Sequence, residues 1–181
     1  MPEPKDKAKN SKPIPAAYFI TYHTYGTWLH GDARESMDRR YFNKFNKNKI
    51  PPRPNLEGAE IEQRKYPEVR LSHKMRVTVR DAIREVCKFR SYTVYAMTVR
   101  TNHVHVVVSG KSTPEKIMNE FKAYSTRRLR EGDLVKPGTK IWVRHGSTRY
   151  LWKPQEIAGA VDYVLYGQGD NVPSFDTTVG L

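Results

Sequence analysis

The sequence contains little cysteine, no long apolar run and a shortage of acidic residues. Cys87 is the single cysteine in a chain of 181 residues, which excludes an internal disulfide, and its place in an apolar periodic stretch indicates a core residue. No apolar stretch approaches the length of a membrane span, and the lysines near the start are not followed by the apolar part of a secretion signal. We therefore expect a cytoplasmic protein with no membrane partner.

The shortage of acidic residues leaves a strong positive charge. The chain has 32 Lys and Arg residues against 19 Asp and Glu residues, which gives a formal net charge of +13. A compact protein with this balance is expected to bind a polyanion, most commonly a nucleic acid. The composition thus favours association with the nucleoid.

The length suits one domain with a sizeable core. Residues 1–16 are rich in proline and lysine and cannot bury enough apolar surface to order themselves, so we expect a disordered basic arm. The domain is predicted at 17–167, with a basic insertion at about 31–71, where no periodicity persists and prolines recur. Residues 168–181 are predicted to form a C-terminal tail.

Apolar periodicity predicts the order of the secondary structure. In chain order, the predicted elements are a strand over 17–28, a helix from about 73 to Phe89, antiparallel strands over 92–99 and 102–108, a helix over 114–131, a hairpin over 141–152 and a helix that ends at Gly167. This order predicts an α+β fold, a ferredoxin-like antiparallel sheet with packed helices.

The stretch from Asn102 to Val108, NHVHVVV, is the most informative part of the chain. Side chains alternate along a strand, so His103 and His105 project from one face while the valines between and after them point into a core. Two imidazoles held side by side by a rigid sheet form half of a divalent-metal site. The alternative is a pair of polar residues satisfied within the structure. For His23, on the first strand, the residue type favours this alternative, a buried polar side chain, over a metal ligand.

The helix over 114–131 carries a tyrosine at the edge of its apolar stripe. The stripe consists of Met118, Phe121, Ser125 and Leu129. At about 100° per residue, Tyr124 lies on the rim of this stripe, with Arg128 one turn beyond it. A tyrosine there can pack on apolar neighbours while its hydroxyl reaches a cleft beside the sheet.

The predicted insertion mixes cations with aromatic rings. Basic residues between Arg39 and Arg53 are interleaved with rings, and no acidic residue lies among them. Cations can meet phosphates while rings stack on bases, although a solvated basic loop is the alternative. The candidate nucleic-acid contacts are Trp28, Arg39, Arg40, Tyr41, Lys44, Lys47, Lys49, Arg127 and Arg128.

These motifs resemble those of the single-tyrosine HUH transposases, the insertion-sequence-200-like group that includes the REP-associated tyrosine transposases. The resemblance rests on NHVHVVV, on the tyrosine in FKAYSTRRL, on AYFITYHTYGTW and on RHGSTRYLW. It covers roughly residues 17–167 and implies the HUH endonuclease type of α+β fold. The partner it implies is DNA, single-stranded and carrying a hairpin.

The resemblance also implies a mechanism. His103 and His105 would hold Mg²⁺ or Mn²⁺ against the scissile phosphate, and Tyr124 would attack the phosphorus. The product would be a 5′-phosphotyrosine link with a free 3′-hydroxyl, which can reverse the reaction on another strand and rejoin DNA without ATP. If Tyr124 is not the nucleophile, Tyr163 and Tyr166 on the last predicted helix are the next candidates.

One position departs from the family pattern. Related transposases commonly carry a glutamine one turn after the tyrosine as a third metal ligand, whereas this chain has Arg128, which offers no lone pair. The third ligand is then expected from Glu120, His23 or water, and Arg128 could bind a phosphate instead. The competing hypothesis is an inactive or domesticated relative that binds structured DNA without cutting it. The assembly state stays open, with a homodimer as one alternative.

Overall fold

The computed structural model describes residues 13–27, 36–37, 49–50 and 66–167. The described elements are, in chain order, β1 Ala17–His23, β2 Ser36–Met37, β3 Lys49–Ile50, α1 His73–Arg90, β4 Thr93–Val99, β5 His103–Ser109, α2 Pro114–Glu131, β6 Ser147–Leu151 and α3 Pro154–Tyr166. The predicted arm, the tail and most of the insertion lie outside the described residues. None of the described helices is both long and apolar enough to cross a membrane.

Four strands form one antiparallel sheet in the order β4-β5-β1-β6. β2 and β3 pair with each other in a separate two-stranded ribbon. Strands that are neighbours in the chain, β4 and β5, are also neighbours in the sheet, whereas β1 lies between β5 and β6. This topology confirms the predicted α+β, ferredoxin-like sheet with packed helices.

The helices begin and end where the sequence places their signals. The Ser72 side chain accepts a hydrogen bond from the Met75 amide at the start of α1, and the Thr113 hydroxyl accepts one from the Lys116 amide at the start of α2. Proline stands in the first turn of both α2 and α3. The two hydroxyls satisfy amide groups that have no partner within the helix, and proline has no amide hydrogen to satisfy, so the helix starts are determined locally.

The sheet separates two apolar layers. One layer contains the buried side chains of α1 and α2 together with Val104 and Val106 of β5. The other contains Val107 of β5 together with Ala160 and Val164 of α3. Alternate residues of β5 therefore pack against different helices, with α1 and α2 on one face of the sheet and α3 on the opposite face.

Three details of the predicted fold need correction. The predicted hairpin over 141–152 is wrong, because β6 pairs with β1 and Trp142 forms a separate bridge with Thr24. The first strand ends at His23 and does not continue to residue 28. Phe89 is predicted in the core but is 70% exposed, because Val86 and Cys87 are the buried positions near the end of α1. Cys87 is buried as predicted, and burial raises the pKa of its thiol to about 12.

Candidate active site

The two histidines of β5 lie side by side, as the alternation predicted. The ring centroids of His103 and His105 are 4.6 Å apart. In the sheet, His105 stands opposite Thr21 and His103 stands opposite His23, both on β1. His105 is buried and His103 is half-buried. The pair therefore has a rigid backbone support on the face of the sheet that α3 covers.

Both imidazoles are oriented by neighbouring side chains. Nδ1 of His103 lies 2.8 Å from Oδ1 of Asn102, and Nδ1 of His105 lies 2.7 Å from the hydroxyl of Thr21. An amide oxygen can only accept, so this contact favours the tautomer that carries the proton on Nδ1 of His103 and the lone pair on Nε2. The Thr21 hydroxyl can accept in the same way. Second partners of this kind fix the orientation and tautomer of metal-binding histidines in general.

His23 extends the cluster by one ring. Its centroid is 5.6 Å from that of His103, and its side chain is half-buried. Even so, the described part of the chain contains no group of three or more His, Cys, Asp or Glu side chains arranged to hold a metal ion. The donors here suit two imidazole ligands from the protein, with the remaining positions left to water or substrate oxygens.

A tyrosine of α3 joins the histidine cluster. The ring of Tyr163 lies 5.8 Å from the ring of His105, and Phe19 contacts both, at 5.9 Å from Tyr163 and 5.4 Å from His105. Ala160 and Val164 anchor this helix on the sheet. Tyr163 lies at the flank of this contact, about 60° around the helix from Ala160, with 47% of its area exposed. An accessible phenol beside two imidazoles can serve nucleophilic chemistry.

Arg149 brings positive charge to the same face. It stands opposite Phe19 in the β1–β6 pairing, and its neighbour two residues on, Leu151, is buried against α3. Since side chains alternate along a strand, Arg149 shares the face of Leu151 and of the histidines. A guanidinium there suits the binding of a phosphate. Arg149 is not predicted from the sequence, because one arginine in a short strand carries no signal until the pairing of the strand is known.

Tyr124, the nucleophile expected from the sequence, lies on the opposite face of the sheet. Its ring packs against the core layer of α1 and α2, and the guanidinium of Arg127 sits 4.7 Å above it. Together with Lys88 and Phe89 of α1, these two side chains line a groove on the outer surface of the two helices. The sheet separates this groove from the histidines. The expectation that Tyr124 and the histidine pair share one cleft is therefore not met within the chain.

Glu120, the expected third ligand, is also removed from the histidines. It lies on α2, where its carboxylate accepts a 2.8 Å hydrogen bond from the Tyr92 hydroxyl and pairs with Arg90 at 3.2 Å. These partners join the start of β4 to α2, on the face away from α3. The geometry corrects the assignment of Glu120 as a metal ligand to that of a structural carboxylate.

Arg128 links helices and does not face the histidines. Its guanidinium donates to both carboxylate oxygens of Glu85 on α1, at 2.8 and 2.7 Å, and to Glu131 at 3.1 Å. These hydrogen bonds raise the pKa of Arg128. Neighbouring Arg127 also lies near Glu131, at 3.6 Å. Arg128 therefore does not stand beside the histidine pair, so it does not occupy the place of a third ligand there.

The other predicted nucleic-acid contacts cannot be placed. Trp28, Arg39, Arg40, Tyr41, Lys44 and Lys47 lie outside the described residues, and of Lys49 only the backbone is described, in β3.

The predicted topology already indicates that the last helix, which carries Tyr163, covers the histidine face of the sheet. The helices of two right-handed crossovers in a ferredoxin-like sheet cover the same face. The valines of β5 point to that face, so the histidines must point to the other, where only the last helix remains. The tyrosines of that helix were therefore better candidates than Tyr124.

Comparisons with known proteins identify a family. The sequence profile described as "Transposase IS200 like" matches residues 61–154, more than half of the chain. No curated protein matches the sequence significantly.

Two solved structures are similar to this chain. A REP-associated tyrosine transposase, solved bound to a REP hairpin, is similar with a TM-score of 0.50 and 15% identity, over 92% of this chain and 72% of that one. A candidate transposase from Deinococcus radiodurans R1 matches with a TM-score of 0.46 and 12% identity, over 91% of this chain and 95% of that one. Together with the profile match, the first likeness agrees with the family indicated by the sequence motifs. The chain belongs to the IS200-like transposase family.

Proposed function

We propose that this protein cleaves and rejoins single-stranded DNA, with Tyr163 as the nucleophile and His103 and His105 as ligands of Mg²⁺ or Mn²⁺. The observation that carries the proposal is the position of the Tyr163 ring, 5.8 Å from that of His105 on the face of the sheet that bears both histidines. Membership of a transposase family supports the DNA-processing chemistry. Tyr163 thus takes the role that the sequence motifs had suggested for Tyr124.

The residues present suit the chemistry. A divalent ion at the histidine pair would withdraw charge from the scissile phosphate and orient it for in-line attack. Asn102 and Thr21 contact Nδ1 of the two rings, which would leave Nε2 of each ring to bind the ion. Arg149, on the same face of the sheet, can bind a phosphate oxygen.

The proposed step is a transesterification. Oη of Tyr163 forms a bond to phosphorus while the bond to the 3′ oxygen breaks. The phenol loses its proton to water and the departing oxygen gains one, so no net proton is consumed. The 5′-phosphotyrosine conserves the energy of the phosphodiester bond, and the 3′-hydroxyl of another strand can reverse the step.

The proposed substrate is single-stranded DNA beside a hairpin. The structurally similar transposase was solved with a REP hairpin, and we extend that kind of partner to this chain. The net charge of +13 supports a polyanionic ligand. Trp28, Arg39, Arg40, Tyr41, Lys44, Lys47 and Lys49 remain proposed DNA contacts. Arg127 and Arg128 are weaker candidates, since both lie near carboxylates on the face away from the histidines. Nucleoid association and a homodimer stay predictions.

A second candidate function is DNA binding without cleavage. One turn after Tyr163 stands Gly167, which has no side chain, where related transposases commonly carry a glutamine ligand. Gln168 follows it in the sequence, outside the described residues. A protein that lacked the third ligand would retain the basic surface and bind hairpin DNA without forming a covalent link.

Three matched tyrosine variants test the proposal. Labelled hairpin DNA with a single-stranded flank is incubated with Mn²⁺, and protein-linked fragments are resolved on a denaturing gel. Tyr163→Phe should abolish the link and leave binding nearly unchanged, because only one hydroxyl is removed. Tyr124→Phe and Tyr166→Phe should still form it. No link with the unmodified protein would favour the binding function, and a link that survives in Tyr163→Phe but not in Tyr124→Phe would overturn the assignment of the nucleophile.

A further inference from the structure

Two large aromatic rings stand exposed at the edge of the sheet. Tyr150 of β6 is 40% exposed and Trp152, which follows that strand, is 48% exposed. Their ring centroids are 6.2 Å apart and their planes differ by 15°. Neighbouring exposed rings on a soluble domain mark a binding surface more often than an isolated one does.

Both residues are held in place. The ring of Tyr150 packs edge to face on the ring of buried Tyr18, with ring centroids 5.4 Å apart and ring planes at 86°. The backbone amide of Trp152 donates a 2.7 Å hydrogen bond to Glu156. This hydrogen bond fixes the backbone of Trp152, and its ring lies beside the packed ring of Tyr150. Side chains that are partly ordered beforehand lose less conformational entropy when a ligand binds.

The carboxylates near the rings are hydrogen-bonded within the protein, and the positive charges of Arg149 and Lys153 offset that of Glu156. The Glu156 carboxylate accepts from the amides of both Trp152 and Lys153, and these hydrogen bonds hold its pKa below the usual range. Glu115, the other nearby carboxylate, accepts from the Thr148 hydroxyl at 2.9 Å. The carboxylates of Glu156 and Glu115 thus both accept hydrogen bonds from groups of the protein itself.

Cationic residues flank the two rings in the sequence. Arg149 precedes Tyr150, and exposed Lys153 follows Trp152. Cations next to rings are the mixture that single-stranded nucleic acids bind, with phosphates at the cations and bases on the rings.

The strand connects these rings to the histidine face. Tyr150 and Arg149 point to opposite faces of β6, and Arg149 stands opposite Phe19, whose ring contacts His105. A DNA strand that leaves the histidine pair over Arg149 would cross the edge of the sheet beside β6. The rings of Tyr150 and Trp152 lie at that edge.

We propose that Tyr150 and Trp152 form a stacking platform for unpaired bases of the single-stranded DNA that passes through the site. The choice of DNA as the ligand rests on the proposed function. Every base has a flat π-face, so such a platform binds single strands with little regard to sequence and cannot reach bases that are paired inside a duplex.

The test separates base stacking from phosphate binding. Affinities for a fluorescent oligothymidylate and for an abasic oligonucleotide of the same length are measured by anisotropy in EDTA, so that metal-dependent cleavage does not interfere. Trp152→Leu and Tyr150→Leu should each weaken binding of oligothymidylate by about fivefold or more and leave binding of the abasic strand unchanged. Trp152→Phe, which keeps a ring, should retain most of the affinity.

Phe89→Leu provides the matched control, because Phe89 is more exposed than either ring and lies on α1. It should leave both affinities unchanged. An equal loss in this variant, no preference of the unmodified protein for the strand with bases, or full affinity in Trp152→Leu would each overturn the platform.

The measurement needs no cleavage, so it is independent of the proposed function. Loss of covalent attachment in Tyr163→Phe together with unchanged binding in Trp152→Leu would retain the enzyme and remove the platform. Weakened binding of oligothymidylate in Trp152→Leu, together with no covalent link formed by the unmodified protein, would retain the platform and remove the enzyme.

Discussion

Tyr163 on α3 and His105 on β5 meet across the interface between helix and sheet, with ring centroids 5.8 Å apart. The helix can come this close because the residues beneath it are small. Ala160 of α3 and Ala96 of β4 are both buried in this layer, together with Val107 and Val164. Small side chains let a helix lie near a sheet, so the composition of this layer sets the distance between the proposed nucleophile and the histidine pair.

The partners of the histidines should control metal affinity. Asn102→Ala removes the acceptor for Nδ1 of His103, and Thr21→Val removes the hydroxyl beside His105. Each should weaken Mn²⁺ binding by about 10- to 100-fold, measured by titration with electron paramagnetic resonance. Thr148→Val is the control, since the Thr148 hydroxyl bonds Glu115 on the opposite face. Unchanged affinity in Asn102→Ala would contradict the proposed metal site.

Arg149 and Arg128 should differ in how they affect DNA binding. Arg149 lies on the histidine face, so Arg149→Ala should reduce the slope of log affinity against log salt for single strands by about 0.7. Arg128→Ala should leave the slope unchanged, because Glu85 and Glu131 already bind this guanidinium. A larger change in Arg128→Ala than in Arg149→Ala would place the DNA on the outer surface of α1 and α2.

The basic insertion should contribute to the same salt dependence. Replacing Lys44, Lys47 and Lys49 together by alanine should reduce the slope by about two to three if each meets a phosphate. Hairpin DNA with a single-stranded flank should bind more tightly than a duplex of the same length. The control variant replaces three lysines of α1 and α2, namely Lys74, Lys88 and Lys116, and has the same net charge. Equal effects of the two triple variants would show a general electrostatic attraction.

Lys122 should make stability depend on pH in the alkaline range. Burial lowers its pKa from the ordinary 10.5 to about 8, while Nζ donates to the carbonyls of Val143 and His145 at 3.1 Å each. Between these two pKa values the unfolded chain binds the proton and the folded chain does not. The free energy of unfolding should therefore rise with pH through this window, by at most roughly 3 kcal/mol.

Denaturant unfolding from pH 7 to 10 can measure this contribution. Lys122→Met removes the titrating group, so the unmodified protein should gain stability relative to this variant as the pH rises. Lys122→Arg is a second control, because a guanidinium stays protonated over the whole range. A constant difference between the unmodified protein and Lys122→Met would show that Lys122 does not titrate in this window.

The sequence by itself determined the elements and the faces of the histidine strand. Ser72, Thr113, Pro114 and Pro154 specify helix starts through contacts within a few residues. The alternation along β5 is equally local, so it placed His103 and His105 on one face without knowledge of the partners. Secondary-structure propensity, helix capping and apolar periodicity depend on residues that are close together in the chain, so they can be recognised in a single sequence.

Only the tertiary structure decided which helix meets which face. Tyr124 and Tyr163 both lie beside the apolar stripe of a helix. Such a stripe predicts that this side of the helix is buried, but it does not predict which face of the sheet covers it. The order of strands in the sheet places α2 on the valine face and α3 on the histidine face. The pairing of β6 with β1 likewise placed Arg149 beside Phe19. These contacts join residues far apart in the chain, and they form only when the whole sheet is assembled.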